Sequence, residues 1–117
     1  MKRALVIEDS TTARALASSV LRAAGYAVVI VGSMSAARAA AKGPQYDLYL
    51  VDCGVPATLG GVDGDGLVFA REVLLRFPDA RVVVWSAGER RLEADELGLP
   101  FIAKGADAGL ALARVVR

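Results

Sequence analysis

Four apolar runs of this chain end in residues that can do chemistry. Leu48-Tyr49-Leu50-Val51 closes on Asp52 and opens into Cys53-Gly54-Val55-Pro56. Leu5-Val6-Ile7 runs into Glu8-Asp9, Val82-Val83-Val84-Trp85 into Ser86, and Phe101-Ile102-Ala103 into Lys104. A carboxylate that ends a buried strand is badly placed for packing and well placed for a ligand. Carboxylates gathered at one place repel each other, which raises a pKa or recruits a counter-charge. Glu8, Asp9 and Asp52 suit a hard cation such as Mg²⁺, which takes oxygen ligands and is held by one or two carboxylates. A carboxylate placed beside such an ion can attack a phosphoryl group and form an acyl phosphate. The charged oxygens of the transferred group then need positioned cations and donors. Lys104, the Ser86 hydroxyl and backbone N–H groups near Gly54 and Ala87 are of the right kind. Each acid alone would read as solvated or as a helix cap. The set together points to a site.

These residues need strands to deliver them. Ala4–Glu8 is a short apolar run that predicts a strand buried on both faces. Ser10 is a candidate N-cap, and Ala13, Leu16, Ala17, Val20, Leu21 and Ala24 follow at helical spacing up to Gly25. Ala27–Val31 predicts a second strand, Ser35–Ala41 an alanine-rich helix, and Tyr46–Asp52 a third strand. Gly54–Gly66 holds five glycines and a proline and reads as a loose, solvated turn. A helix over Leu67–Arg76, a strand over Val82–Trp85 and a short charged helix over Glu89–Leu97 come next. A strand at Phe101–Ala103 and a helix at Ala106–Val116 complete the pattern.

Strands alternating with helices at this spacing predict right-handed βαβ units in one domain, residues 1–117. The fold class expected is α/β: a doubly wound five-stranded parallel sheet with helices on both faces and a short fourth helix. Ligands of such sheets bind beyond the carboxyl ends of the strands, near the switch in strand order. Glu8, Asp9, Asp52, Ser86 and Lys104 all belong there.

Composition narrows the chemistry. The 117 residues are enough for one hydrophobic core, and 55% hydrophobic content excludes a disordered chain. With 14 basic and 13 acidic residues the net charge is +1, which argues against direct nucleic-acid binding. Histidine is absent, so a His-based triad, a His-ligated zinc site and a histidine general base are excluded. A lone Cys53 cannot form an intramolecular disulfide and suits a reducing cytosol; beside Asp52 it reads as a small buried filler. The N-terminal apolar stretch is cut by Glu8 and Asp9 too early for a signal peptide, and no run approaches the ~18–20 apolar residues of a membrane span. A cytoplasmic protein with no membrane insertion is expected.

The segments Leu5-Val6-Ile7-Glu8-Asp9-Ser10, Asp47 through Pro56, Val83-Val84-Trp85-Ser86-Ala87 and Phe101-Ile102-Ala103-Lys104-Gly105 resemble, in order, the receiver domain of two-component response regulators. The resemblance spans nearly the whole chain and implies a flavodoxin-like fold. It makes Asp52 the phospho-acceptor, with Asp9 binding Mg²⁺ directly, Glu8 acting mainly through a water, and the Gly54 carbonyl completing the protein's metal ligands. Ser86 would bond the phosphoryl oxygen, Lys104 would pair with it, and Phe101 would hold the aromatic switch position. The donor would be a histidine kinase or a histidine phosphotransfer protein. The output would be a downstream protein bound in trans, by a stand-alone bacterial receiver that at most catalyses its own phosphorylation and dephosphorylation.

Departures from the family pattern are also visible. The segment Ala57 to Gly66 is longer than the family's usual link, its Asp63-Gly64-Asp65-Gly66 sits in no strand, and it could lie over the acidic site. The stretch from Ser86 to Lys104 is short, Gly105 stands where proline is common, and the last helix ends abruptly at Arg117. Gly54 and Gly88 leave room for an attacking water, which implies fairly fast self-dephosphorylation. Two other functions compete: a receiver-like binding module that takes no phosphate, and a metal-dependent phosphatase, disfavoured because its Asp-x-Asp lies in a glycine loop.

Overall fold

The helix boundaries follow from local chemistry. In the computed structural model, which describes residues 1–54, 65–87 and 90–116, Ser10 caps α1 (Thr11–Ala23) by accepting from the Ala13 N–H at 3.4 Å. Gly25, at φ 93°, ends that helix and turns the chain into β2 (Tyr26–Val31). Ser33 caps α2 (Met34–Ala41) in the same way, accepting from Ala36 N–H at 3.1 Å. Asp65 caps α3 (Gly66–Arg76), accepting from Leu67 N–H at 2.9 Å. Of the charged stretch predicted over 89–97, the described part forms α4 (Arg91–Glu96), six residues with no side-chain cap, closed by Gly98 at φ 72°. The last helix, α5 (Ala108–Val115), begins two residues later than predicted.

β1 (Lys2–Ile7), β3 (Leu48–Asp52), β4 (Val82–Ser86) and β5 (Phe101–Ala103) join β2 in a five-stranded parallel sheet of order β2-β1-β3-β4-β5. The winding therefore reverses between β1 and β3, the two strands that end in the acids. β3 and β4 are buried along their whole length, as the unbroken apolar runs require.

Alternation along the strands divides the core. Leu5, Ile7, Tyr49, Val51, Val82 and Val84 pack toward α2, α3 and α4, with Met34, Ala37, Phe69, Ala70 and Ala94. Ala4, Val6, Leu48, Leu50, Val83, Trp85 and Ile102 pack toward α1 and α5, with Ala17, Leu21, Ala108 and Leu112. The same period of two carries Glu8, Asp52 and Lys104 onto the α1/α5 side at their strand ends, while Ser86 continues the other parity. Register does the rest: Asp52 lies opposite Trp85 and Ser86 opposite Ala103.

The start of α3 presses directly on the end of β3. Gly66 N–H donates to the Cys53 carbonyl at 3.2 Å, and a Cβ at Gly66 would lie 2.1 Å from the Asp52 carbonyl oxygen and 2.9 Å from Cys53 Cα. Both obstacles are backbone and neither can turn aside. Gly66→Ala is therefore expected to cost at least about 2 kcal/mol. The expected observable is a lower urea midpoint; an unchanged midpoint would contradict this close packing.

Candidate functional site

The sheet brings together every strand-end residue that the sequence singles out. Carboxylate oxygens of Glu8, Asp9 and Asp52 lie within 4.8 Å of one another. Glu8 is fully buried, Asp52 nearly so, and Asp9 is exposed at the rim. Lys104 follows β5, and its N–H donates to the Ser86 carbonyl at 2.9 Å, which prolongs the β4–β5 pairing by one residue. Its Nζ reaches Asp52 Oδ2 at 2.9 Å and also pairs with Glu8 Oε1. One ammonium thus joins two strand ends across the switch point.

Each acid is oriented from a second direction. Ser10 N–H donates to Glu8 Oε2 at 3.0 Å, and Arg14 Nε to the Glu8 carbonyl at 2.7 Å. Gly54 N–H donates to Asp52 Oδ1 at 3.2 Å, so both Asp52 oxygens have a donor. Ser86 is buried at the end of β4, and Asp52, Ser86 and Lys104 line one open pocket of about 360 Å³ together with Gly54 and Ala87.

The charges respond to this placement. Burial raises the Glu8 pKa, and the contacts with Lys104 and Ser10 offset that only in part, while the Asp52 charge adds to it. Burial also works against the Lys104 ammonium. Glu8 and Asp52 outweigh it and hold the Lys104 pKa above the ordinary lysine value. The donors are all oxygens, the set carries excess negative charge and one acid is open to solvent, so these residues fit a hard divalent cation. Cys53 is buried, and burial pushes its thiol pKa up, which agrees with a filler and not a reactive thiolate.

Phe101 is half-buried against the α2/α3/α4 side of the core, with the Arg91 guanidinium 4.8 Å above its ring. The extended loop's residues 55–64, Gly88, Glu89 and Arg117 lie outside the described residues. Three contributors were not found by sequence reasoning. Gly66 lets α3 sit on the Asp52 backbone, Asp65 caps that helix, and Arg90 lines the Asp52 pocket. The Asp-Gly pair before an apolar helix was a readable signal for the first two; nothing local marks Arg90.

No protein-family model matches the sequence, and no curated protein matches it. Solved structures do. A CheY-like response regulator receiver domain protein from Methanospirillum hungatei superposes with a TM-score of 0.81 at 18% identity, over 98% of this chain and 90% of that one. The response regulator TrrA from Thermotoga maritima, solved with Mg²⁺ and BeF, gives 0.80 at 24% identity, over 98% and 96% of the two chains. A response regulator from Burkholderia pseudomallei, solved with a phosphorylated aspartic acid, a calcium ion and citrate, gives 0.78 at 26% identity, over 98% of this chain and 66% of that one. Among the described residues no helix is long and apolar enough to cross a membrane. What these likenesses share with the present sheet order is architecture: the chain has the fold of the response regulator receiver domains, with an acidic cluster that suits phospho-acceptance.

Proposed function

We propose that this protein is a phospho-receiver of a two-component or phosphorelay system, which takes a phosphoryl group on Asp52 and signals by changing what it binds. The observation that carries this reading is the Asp52 carboxylate, held between the Gly54 N–H and the Lys104 ammonium and beside two further acids. The Thermotoga and Burkholderia structures, described with Mg²⁺ and BeF and with a phosphorylated aspartic acid, support it.

In the proposed reaction an Asp52 oxygen attacks the phosphorus of a phosphohistidine on a kinase or relay protein. The P–O bond forms as the P–N bond breaks, and the histidine ring keeps the electron pair and takes a proton. These 117 residues contain no histidine, which fits a donor histidine that lies outside this domain. Mg²⁺ held by Glu8, Asp9, Asp52 and the Gly54 carbonyl would neutralise charge on the phosphoryl oxygens. Lys104 stays cationic at neutral pH and pairs with a phosphoryl oxygen, and Ser86 donates its hydroxyl to another. Engagement of Ser86 pulls on the end of β4, beside β5 and the partly buried Phe101, and this is the proposed route to the partner-binding surface. Among the described residues a Cβ at Gly54 would meet nothing within 4 Å, which supports access for an attacking water and a short-lived phospho-form. Catalysis extends at most to the protein's own phosphorylation and dephosphorylation. The chain is proposed to act in the cytoplasm. The six-residue α4 favours a second reading, a receiver-like module that binds its partner without phosphate.

Incubation with a low-molecular-mass acyl phosphate and Mg²⁺ is expected to add one phosphoryl group, seen by intact-protein mass spectrometry. Asp52→Asn or a chelator of divalent cations should remove the adduct while the circular dichroism spectrum stays unchanged. No adduct on the native chain would leave the binding module, and repeated turnover of phosphate esters would indicate a phosphatase.

The ion pairs make a separate prediction. In Mg²⁺-free buffer at neutral pH, Lys104→Met leaves the fully buried Glu8 without its cation and should cost roughly 2–3 kcal/mol. Adding Glu8→Gln should recover most of that loss. The loss should also shrink toward acidic pH, because Glu8, whose pKa burial already raises, then takes up a proton and the fully buried position no longer holds an unpaired charge. Urea denaturation of both variants across pH is the measurement. A double variant no more stable than Lys104→Met would show that the lysine acts through packing.

A further inference from the structure

The pocket that receives Asp52 has a second cation on its wall. Among the described residues lining it, the cations are Lys104 and Arg90. Lys104 is already shared between Glu8 and Asp52. A phosphoryl group brings about −1.5 to −2 charge, so with Glu8 and Asp9 beside it the pocket stays short of positive charge even when the shared ammonium is joined by the proposed divalent cation. Arg90 stands immediately before α4 and is oriented by two acids. Its Nε and Nη2 meet Glu93 Oε1 and Oε2, each at 2.6 Å, and Nη2 reaches Asp65 Oδ2 at a looser 3.2 Å. Its Nη1 donates no hydrogen bond among the described residues, so the guanidinium has donors to spare. The charge is felt at the acceptor's neighbour as well: Arg90 is the largest influence opposing the burial that raises the Cys53 thiol.

We infer that Arg90 is a phosphoryl-binding cation held in reserve, which gives up part of its contact with Asp65 and Glu93 to meet the phosphoryl group on Asp52. The inference rests on the receiver reading and adds a residue to it. Asp65 loses little in the exchange, because it keeps its cap contact with the Leu67 N–H. Glu93 is half-exposed and is resolvated at small cost. Since Asp65 opens α3 and Glu93 lies in the first turn of α4, moving the guanidinium changes the charge at both helix starts. The acceptor is thereby coupled to α4 by a route separate from Ser86 and Phe101.

Competition for one guanidinium gives the test its signs. Beryllofluoride with Mg²⁺ serves as the phosphoryl probe, and its affinity is read by titration calorimetry on the full chain. Arg90→Ala should weaken it by about fivefold, with Arg90→Lys in between. Glu93→Gln should tighten it by about twofold, because it removes the charged competitor and leaves the arginine in place. Rising salt should shrink both effects. If Arg90 merely ties α3 to α4, both variants break the same tie and both weaken binding or leave it unchanged. Either of those results overturns the inference. Native chain that binds the probe, Asp52→Asn that does not, and Arg90→Ala equal to native would remove Arg90 alone. Native chain that takes no Asp52-dependent beryllofluoride would remove the receiver reading, and the role of Arg90 with it.

Discussion

One ammonium among three carboxylates sets the terms for this structure. Glu8 is fully buried, and an ionised carboxylate there is costly unless it is paired. Lys104 supplies the pairing, yet it comes from the far side of the sheet: β5 is separated from β1 by β3 and β4. Its Nζ lies 5.2 Å from the Trp85 ring centroid, so the side chain crosses over the end of β4 on an aromatic surface before it meets the acids. The strand order, the register of β4 against β5 and the large residue at Trp85 are all needed for that reach. The sheet does more than display the acids; it closes an electrostatic circuit across four strands.

The site remains frustrated even so. One cation cannot neutralise Glu8, Asp9 and Asp52 together, and the Glu8 pKa stays raised, by burial first and by the Asp52 charge after it. The Trp85 indole N–H is also buried without a hydrogen-bond partner among the described residues, an arrangement that costs about 1–3 kcal/mol. These costs gather at the carboxyl ends of the strands, and the two apolar clusters on either side of the sheet offset them. A pocket short of positive charge is one that a divalent cation or a further guanidinium relieves.

Much of this was legible in the sequence because strand ends are written locally. An unbroken apolar run followed by a polar residue fixes both the element and where it stops, and Asp52, Glu8, Asp9, Ser86 and Lys104 were found that way. Alternation of strand and helix then implied a parallel sheet, and a parallel sheet puts all those ends on one edge. Gly66 and Arg90 were not found, for a common reason. Gly66 is required by an approach of α3 to the Asp52 backbone, and Arg90 matters through residues 25 positions back, neither of which leaves a periodic trace. The fourth helix was predicted too long because its charged residues satisfy helical propensity alone. Among the described residues its buried anchor is Ala94, and little else holds its ends.

That weak anchoring bears on how the site could be read by another molecule. α1, α2 and α3 begin on side-chain caps that belong to their own N-cap residues, Ser10, Ser33 and Asp65. α4 has none; its start is fixed by Arg90 to Glu93 and to the Asp65 cap of α3. An element held by exposed ion pairs and one buried alanine has a low cost of local displacement, while the fully buried strands beside it do not. On the proposed receiver reading, a change of charge at Asp52 acts on whichever of the described helices is cheapest to move. Among the described helices that is the short α4 with Leu92, 78% exposed on its surface, and the Arg91–Phe101 contact at its base. On that reading the shortening of the helix, which in the sequence suggests a loss of signalling surface, leaves an element that the acidic site can displace at low cost.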